Sequence, residues 1–206
     1  MTRQQHNTSV TEVPGAGLSG LPVHPNRFLF WLGGFGLKVL GGWRIEGQLP
    51  DIAKAIIGIG PHTSNWDFFV GLMVKFRLGL EVNFLGKHSI FRFPIQGFLT
   101  RIGGIPVRRD ASYGVVSTMC EAFATRDQLI LVIAPEGTRK KVRKWKTGFL
   151  QIAKNAQVPV IPVALDYASK VIRIGKPMAI EGDIDVELSK VQAFIGQAQG
   201  KNARNG

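Results

Sequence analysis

Three short runs of apolar, largely β-branched residues constrain the fold more than any other feature of the sequence. They span residues 53–60, 128–133 and 158–165, and continuous runs of this kind are typical of strands that are buried on both faces. Helical patterns lie between them, with apolar residues recurring every three or four positions, as in residues 66–76 and 113–125. Strands that alternate with helices predict an α/β fold, whose ligands bind at the carboxyl ends of the strands.

One domain is expected to hold these elements. A length of 206 residues suits a single domain with a sizeable core. Residues 170–174 and 178–181 are predicted to form a terminal hairpin, and the central sheet is expected to be mixed. We therefore predict a single α/β domain at residues 45–206, with helices flanking the mixed sheet. Residues 1–26 combine Thr, Ser, Gly, Pro and Asn without an apolar core, and they are predicted to be a mobile tail.

The segment between the tail and the domain, residues 27–44, is apolar and rich in Gly. It is shorter than the roughly 20 residues that a membrane-spanning helix requires, and it includes Lys38. Trp31 and Trp43 near its ends, together with its basic flanks, favour a helix that lies in the membrane interface. A helix packed against the domain is the alternative, because apolar segments of this length also occur in protein cores.

The charge of the chain narrows the classes of partner. Its net charge of +12 and isoelectric point of about 10.3 predict an anionic partner, which could be a nucleic acid, an anionic bilayer or a phosphorylated substrate. The single cysteine, Cys120, excludes an internal disulfide and a cysteine-rich metal site. We predict no bound metal ion.

A histidine and an aspartate stand where the first predicted strand meets the following helix. His62 and Asp67 are five residues apart, and Ser64 with Asp67 is similar to a capping box, which starts a helix. A turn can fold the imidazole back so that the carboxylate meets Nδ1, which leaves Nε2 free to accept a proton from a hydroxyl. The alternative is that Asp67 only caps the helix and His62 is a solvated turn residue.

Further polar residues follow the strand predicted at residues 128–133. Glu136 comes shortly after its end and is therefore expected to share a cleft with His62. A basic run at residues 139–146 comes next. Such runs are usually solvated faces, but Trp145 within this one suggests an interfacial anchor drawn to anionic lipid.

Four separated blocks together resemble the glycerolipid acyltransferase family, which includes bacterial 1-acylglycerol-3-phosphate acyltransferases. They are the His-x4-Asp pair, Gly-Gly-Ile-Pro-Val-Arg-Arg at 103–109, Pro-Glu-Gly-Thr-Arg at 135–139 and Val-Pro-Val-Ile-Pro-Val at 158–163. Their order and spacing also agree, over roughly residues 40–180. Two positions depart from the family pattern: Arg108, where the family often has an acidic residue, and Ala134, where it usually has an aromatic one.

The resemblance implies that residues 45–206 form an acyltransferase domain. His62, oriented by Asp67, would deprotonate a lipid hydroxyl, which attacks the thioester carbonyl of acyl-CoA or acyl-carrier protein without a covalent enzyme intermediate. The resemblance also implies a phosphate or acceptor site and an acyl-chain site. The acceptor residues would be Arg109, Glu136, Gly137, Thr138, Arg139 and Lys146, and the residues near the acyl chain would be Val160, Ile161 and Pro162.

The most direct interpretation is acylation of lysophosphatidic acid to phosphatidic acid by a peripheral or monotopic protein at the cytoplasmic face of a membrane. Another lysolipid, of ornithine type or glycosylated, stays open as the acceptor. A non-enzymatic module that binds anionic lipid or nucleic acid is a different class, although the sequence has neither aromatics interleaved on a basic face nor a recognisable nucleic-acid module. No cofactor is expected beyond the acyl donor as co-substrate.

Overall fold

A mixed sheet of seven strands forms the centre of the computed structural model, which describes residues 20–23, 26–107 and 112–202. The strands are β1 (Arg44–Glu46), β2 (Lys54–Gly60), β3 (Asn83–Lys87), β4 (Gly104–Val107), β5 (Leu129–Ile133), β6 (Val160–Asp166) and β7 (Val171–Ile174). Their order across the sheet is β1-β7-β6-β2-β5-β3-β4. Neighbouring strands are parallel except β6 and β7, which are antiparallel. The predicted α/β fold with a mixed sheet is confirmed.

Helices cover both faces of this sheet. They are α1 (Arg27–Val39), α2 (Trp66–Leu78), α3 (Ile95–Arg101), α4 (Ser112–Thr125), α5 (Gly148–Ala156) and α6 (Ile184–Ile195), with a short 3₁₀ helix at His88–Ile90 before α3. One hydrophobic cluster joins α4, α5 and α6 to one face of the sheet. A second cluster joins α1 and α2 to the other face.

The three central strands are apolar because both of their faces are covered. β6 is buried along its whole length. Neighbouring side chains alternate between the two clusters, so that Ile56 and Val160 belong to one and Ile57 and Ile161 to the other. Each fully buried Ile or Leu side chain contributes about 1.5–3 kcal/mol to stability. The sheet is therefore a firm base for the loops at its carboxyl edge.

The helix α1 packs closely against α2 because two glycines let their backbones approach. A Cβ at Gly33 would lie 2.6 Å from the carbonyl oxygen of Met73, and one at Gly36 would overlap the side chain of the same Met73. Leu37 is buried on this side of α1. The opposite side exposes Phe28, Trp31, Phe35 and Val39. In the described part of the chain, no helix has both the length and the apolar character needed to cross a membrane.

The predicted hairpin between residues 170–174 and 178–181 is wrong. β7 pairs with β6 instead, in antiparallel register. The chain then returns through Met178, which exchanges two backbone hydrogen bonds of 2.8 and 2.9 Å with Val160 at the start of β6. The physical reason is that β6 is a better pairing partner than residues 178–181, because β6 is longer and buried along its whole length.

The described part of the predicted tail, residues 20–23, packs against the domain. Leu21 is buried, and its backbone N–H donates to the carboxylate of Asp51 at 2.8 Å. The other residues of 1–26, except Asn26, lie outside the described residues. Asn26 itself caps α1, because its side chain accepts from the backbone of that helix.

Candidate active site

The candidate site lies where β2 and β5, which are adjacent and parallel, end at the same edge of the sheet. β2 ends at Gly60 and α2 begins at Trp66, so that residues 61–65 form the connecting loop. A side chain at Gly60 would crowd its neighbours, because a Cβ there would lie 2.9 Å from the side chain of Ile195 and 3.2 Å from the carboxylate of Glu136. The loop therefore lies directly against the end of α6 and the segment after β5.

His62 and Asp67 form the pair that the sequence predicts. Nδ1 of His62 lies 3.1 Å from Oδ2 of Asp67, and the imidazole is 29% exposed while the carboxylate is 3% exposed. A neutral imidazole that donates from Nδ1 has an unprotonated Nε2, which can accept a proton from a substrate hydroxyl. A partly open imidazole beside a buried carboxylate has the geometry of a general base with an orienting group.

Asp67 is held by four polar contacts. Besides meeting His62, its Oδ2 accepts from the backbone N–H groups of Thr63 and Ser64, both at 2.8 Å. Its Oδ1 accepts from the hydroxyl of Tyr167 at 2.7 Å. Burial pushes the pKa of Asp67 upward, but the hydrogen bonds from His62, Tyr167 and Ser64 outweigh it, so that the pKa is lowered. The carboxylate is therefore ionised at neutral pH.

Part of the predicted capping box is present at the start of α2. Asp67 accepts from the backbone N–H of Ser64, and Ser64 Oγ accepts from the backbone N–H of Trp66 at 3.2 Å. Asp67 thus caps the loop and contacts His62 at the same time. A purely capping role leaves its contacts with His62 and Tyr167 unexplained.

Glu136 links the segment after β5 to the loop that carries His62. Its Oε1 accepts from the backbone N–H of His62 at 2.9 Å, and the residue is 6% exposed. Burial raises the pKa of Glu136 and the nearby charge of Asp67 adds to the rise, whereas the hydrogen bond from His62 opposes it. The expected proximity of His62 and Glu136 is confirmed, and a backbone contact joins them.

The residues after Glu136 turn sharply, and the chain then folds back on them. Gly137 has a left-handed φ of +66°, and its N–H donates to the carbonyl of Ala134 at 3.0 Å. The backbone N–H of Lys146 donates to the carbonyl of Pro135 at 2.8 Å. A Cβ at Gly137 would lie 3.0 Å from Cε of Lys146. Glycine is therefore favoured at 137 both by its backbone conformation and by the lysine that covers it.

Two cavities flank the loop between β2 and α2. The first, of about 390 Å³, is lined by residues 63–66 with Arg139, Lys140 and Asn202. The second, of about 460 Å³, is lined by Pro61, Glu136, Lys141, Val142, Trp145 and residues 195–200. Thr138 Oγ1 accepts from the backbone N–H of Lys140 at 3.3 Å, within the turn that leads to the first cavity. Arg139 is exposed there, and its guanidinium is a planar fork suited to phosphate oxygens.

A C-terminal strap, residues 196–202, lines both cavities. The side-chain amide of Asn202 donates to the carbonyl of Thr63 at 2.9 Å. The ammonium of Lys201 lies 4.3 Å from the ring centroid of Trp66. The strap therefore contacts both the His62 loop and the start of α2.

Sequence reasoning missed both Tyr167 and the strap. Tyr167 follows β6 directly, so the expectation that functional side chains gather at the carboxyl ends of parallel strands could have found it. The strap has no comparable local signal, because its contact with Thr63 joins residues 139 positions apart.

The predicted acyl-chain residues lie inside the sheet. Val160, Ile161 and Pro162 are all buried in β6, and the first two belong to core clusters on opposite faces. Sheet packing accounts for their burial. Arg109, the predicted phosphate ligand, and its neighbour Arg108 lie outside the described residues.

Trp145, the predicted interfacial anchor, is half-buried, and its contact with lipid stays a prediction. Its ring packs against the hydrophobic cluster beneath α4, α5 and α6 and lines the second cavity. A large aromatic surface gains more from burial against apolar side chains than from staying in solvent. Cys120 is half-buried against the same cluster. Among the described residues, no group of three or more His, Cys, Asp or Glu side chains is placed to hold a metal ion.

Comparison with known proteins shows which family the chain resembles. A family model described as "Acyltransferase" matches residues 44–166. The chain is 29% identical over 149 residues to a 1-acyl-sn-glycerol-3-phosphate acyltransferase of Haemophilus influenzae. The aligned region covers 68% of this chain and 61% of that protein. It is 27% identical over 150 residues to the enzyme of the same name from Escherichia coli K12, covering 68% of this chain and 60% of that protein. The chain thus spans about three fifths of the length of these bacterial relatives.

A solved structure shares the fold. It is the crystal structure of the 1-acyl-sn-glycerophosphate (LPA) acyltransferase PlsC from Thermotoga maritima, with a TM-score of 0.59 and 16% sequence identity. The match covers 82% of this chain and 76% of that one. At this level of identity the similarity concerns the architecture of the sheet and its helices.

Proposed function

The chain belongs to the acyltransferase family, whose model it matches over residues 44–166, and we propose that it transfers a fatty acyl group from a thioester to the free hydroxyl of a lysophospholipid. The thioester is acyl-CoA or acyl-carrier protein. The observation that carries the proposal is the contact of 3.1 Å between a half-open His62 and a buried, ionised Asp67. That pair supplies a base of fixed orientation within the loop that the two cavities flank.

The reaction follows from this geometry. Nε2 of His62 takes the proton of the acceptor hydroxyl as the oxygen attacks the thioester carbonyl. Asp67 holds the imidazole in the required tautomer and stabilises the imidazolium that forms. The attack forms the new ester C–O bond, and collapse of the tetrahedral intermediate then re-forms the carbonyl and breaks the C–S bond. The thiolate leaves with the proton that the imidazolium returns.

The acceptor is proposed to be lysophosphatidic acid, with phosphatidic acid as the product. Two observations support this choice: Arg139 and Lys140 are exposed at the first cavity, and the relatives named above are 1-acyl-sn-glycerol-3-phosphate acyltransferases. A guanidinium binds phosphate through two parallel hydrogen bonds. In this proposal Arg139 binds the phosphate together with Arg109 and Lys146, and the turn of Gly137 and Thr138 places Arg139.

The acyl chain is proposed to extend from the carboxyl edge of the sheet toward the start of β6, beside Val160, Ile161 and Pro162. Glu136 contributes by fixing the backbone of His62, because its carboxylate accepts from that N–H. The first cavity and the imidazole are both reached from the edge where β2 and β5 end. Phosphate, hydroxyl and thioester can therefore meet at one face of the domain.

Attachment of the protein to the cytoplasmic face of a membrane, as a peripheral or monotopic enzyme, is proposed from the exposed apolar face of α1. Phe28 is 67% exposed, Trp31 62%, Phe35 53% and Val39 67%. These four residues recur at helical spacing, and aromatic side chains on a helix that cannot span a bilayer favour an interfacial position.

The membrane proposal is tested by the double substitution Trp31→Ser and Phe35→Ser, measured by flotation with vesicles that contain anionic lipid. We expect binding to fall about tenfold, because two aromatic side chains no longer enter the interface. Val186→Ser is the matched control, since Val186 is 55% exposed on α6, across the sheet from α1. Equal vesicle binding of all three proteins would contradict the membrane proposal.

The transfer reaction is tested by thiol release from a long-chain acyl-CoA, with and without lysophosphatidic acid. We expect release that depends on the acceptor. The same measurement with acyl-carrier protein identifies the donor, and ornithine-type and glycosylated lysolipids identify the acceptor if lysophosphatidic acid fails. No release with any of these pairs would reject the acyltransferase and favour a non-enzymatic module that binds anionic lipid or nucleic acid.

A further inference from the structure

We propose that Tyr167 is a positioning residue for His62, and that its hydroxyl forms the far end of a hydrogen-bonded chain that runs from Tyr167 through Asp67 to His62. This inference rests on the proposed function, because it concerns the same histidine. The matched family model ends at residue 166. The tyrosine therefore lies just beyond the region that the family model describes.

The chain of contacts gives the two oxygens of Asp67 different tasks. Oδ2 meets Nδ1 of His62 at 3.1 Å and accepts from the backbone N–H groups of Thr63 and Ser64. Oδ1 accepts from the Tyr167 hydroxyl at 2.7 Å. A carboxylate that is held at both oxygens has a fixed plane. Without the hydroxyl it can turn about its Cβ–Cγ bond, and the line from Oδ2 to the imidazole is no longer fixed.

The ring of Tyr167 is itself held from several sides. It forms a T-shaped pair with the ring of Trp43, with 4.7 Å between the ring centroids and 90° between the ring planes. The ammonium of Lys170 lies 5.1 Å from the centroid of the tyrosine ring. The backbone N–H of Tyr167 donates to the carbonyl of Gln199, in the strap, at 2.8 Å. A hydroxyl on a ring held in this way is preorganised, as a positioning group must be.

The direction of the hydrogen bond follows from proton affinities. Burial, the hydrogen bond to Asp67 and the charge of Asp67 all raise the pKa of Tyr167. The pKa of Asp67 is lowered, although its burial opposes this. The tyrosine therefore keeps its proton and donates it to an ionised carboxylate. Two further titratable groups face this carboxylate, His62 from its own loop and Glu136 from the segment after β5.

The test is Tyr167→Phe, which removes the hydroxyl and keeps the ring against Trp43. Ser169→Ala is the matched control, because it removes a hydroxyl from the same turn, one that donates to Asp166 Oδ2 at 2.6 Å. We expect Tyr167→Phe to lower kcat about tenfold with KM unchanged. We also expect the acidic limb of its pH profile of kcat to move to higher pH, because the Asp67 carboxylate loses a donor that favours its ionised form. Ser169→Ala is expected to leave both unchanged.

A second readout does not depend on turnover. By NMR, the Nδ1–H proton of His62 is expected to exchange with solvent about tenfold faster in Tyr167→Phe than in the unmodified chain or in Ser169→Ala. An unchanged exchange rate overturns the proposal, and so does a loss of kcat that Ser169→Ala reproduces. If the unmodified chain transfers acyl groups to no acceptor, the proposed function fails, and the exchange rate alone decides the role of Tyr167.

Discussion

Two loops leave adjacent parallel strands at the same edge of the sheet, and they are built in opposite ways. The loop after β2 is buried and hydrogen-bonded: Thr63 is 1% exposed and Ser64 9%. The segment after β5 is anchored at its start by Glu136, and then exposes the basic side chains of residues 139–141. The difference fits the proposed function, in which the first loop performs the chemistry and the second recruits an anionic substrate.

Each design suits its task. A general base acts through a proton transfer whose geometry must be fixed, so its orienting carboxylate is buried and fully hydrogen-bonded. Long basic side chains lose about 1.5–2 kcal/mol of rotamer entropy when they are held in one conformation. Leaving them exposed defers that cost until a ligand arrives, and electrostatic attraction of an anionic lipid acts over a distance.

Asp67→Asn tests the buried loop and is expected to have the largest effect. It keeps the shape of the side chain but removes the charge that steadies the imidazolium, so kcat should fall about 100-fold. Asp183→Asn is the matched control, because Asp183 accepts from the backbone N–H groups of Asp185 and Val186 at the start of α6 and is therefore a capping carboxylate. Enzyme kinetics and thermal unfolding are measured for both. If both variants lose stability and keep kcat, Asp67 is only a cap and the contrast between the loops disappears.

The contact that joins the two loops gives the next largest effect. Glu136→Gln keeps an oxygen that can accept from the backbone N–H of His62, whereas Glu136→Ala removes the acceptor. We expect the alanine variant to lower kcat about tenfold and the glutamine variant to stay close to the unmodified chain in steady-state kinetics. Equal losses in both variants would assign the effect to the charge of Glu136 and not to its hydrogen bond.

Arg139→Lys tests the exposed segment, and its effect is expected in KM. Lysine keeps the charge but cannot form the planar pair of hydrogen bonds to phosphate, so KM for lysophosphatidic acid should rise about fivefold with little change in kcat. Arg143→Lys is the control, because Arg143 is an exposed arginine of the same basic run. A fall in kcat at unchanged KM would give Arg139 a role in the chemical step, and would contradict the contrast between the two loops.

The smallest effect concerns stability in acid. The pKa of Asp67 is lowered although burial opposes it, because His62 and Tyr167 donate hydrogen bonds to its carboxylate. A carboxylate whose pKa is lowered by folding stabilises the fold above its ordinary value, here 3.8, and this contribution is lost as the pH falls through the lowered pKa. The free energy of unfolding, measured by urea titration at several pH values, should therefore decline below about pH 3.8, and Asp67→Asn should flatten that decline. An identical decline in both proteins would show that Asp67 contributes nothing to it.

The central strands and the pair of His62 with Asp67 were predictable because their signals are local. Burial on both faces makes β2, β5 and β6 continuous apolar runs, and a turn between strand and helix confines His62 and Asp67 to one place. The partner of β7 was not predictable in the same way. Pairing depends on which neighbour offers the better buried surface, and β6 offers more than residues 178–181 do.

The contacts that hold the site in place could not be predicted from the sequence for a related reason. The hydrogen bond between Tyr167 and Asp67 joins residues 100 positions apart, and the one between Asn202 and Thr63 spans 139. Helical and strand periodicity report only on neighbours along the chain. The half-burial of Trp145 against the core cluster shows the same limit, because its sequence neighbours are basic and give no sign of that contact.

Equilibrium binding of lysophosphatidic acid to His62→Ala, measured beside its turnover, is the most direct test of the division between a chemical loop and a binding segment. We predict that thiol release falls about 1,000-fold, because the general base is gone, while the dissociation constant for lysophosphatidic acid stays that of the unmodified chain. Retained thiol release, or a loss of binding as large as the loss of turnover, would contradict the division of the site into a chemical loop and a binding segment.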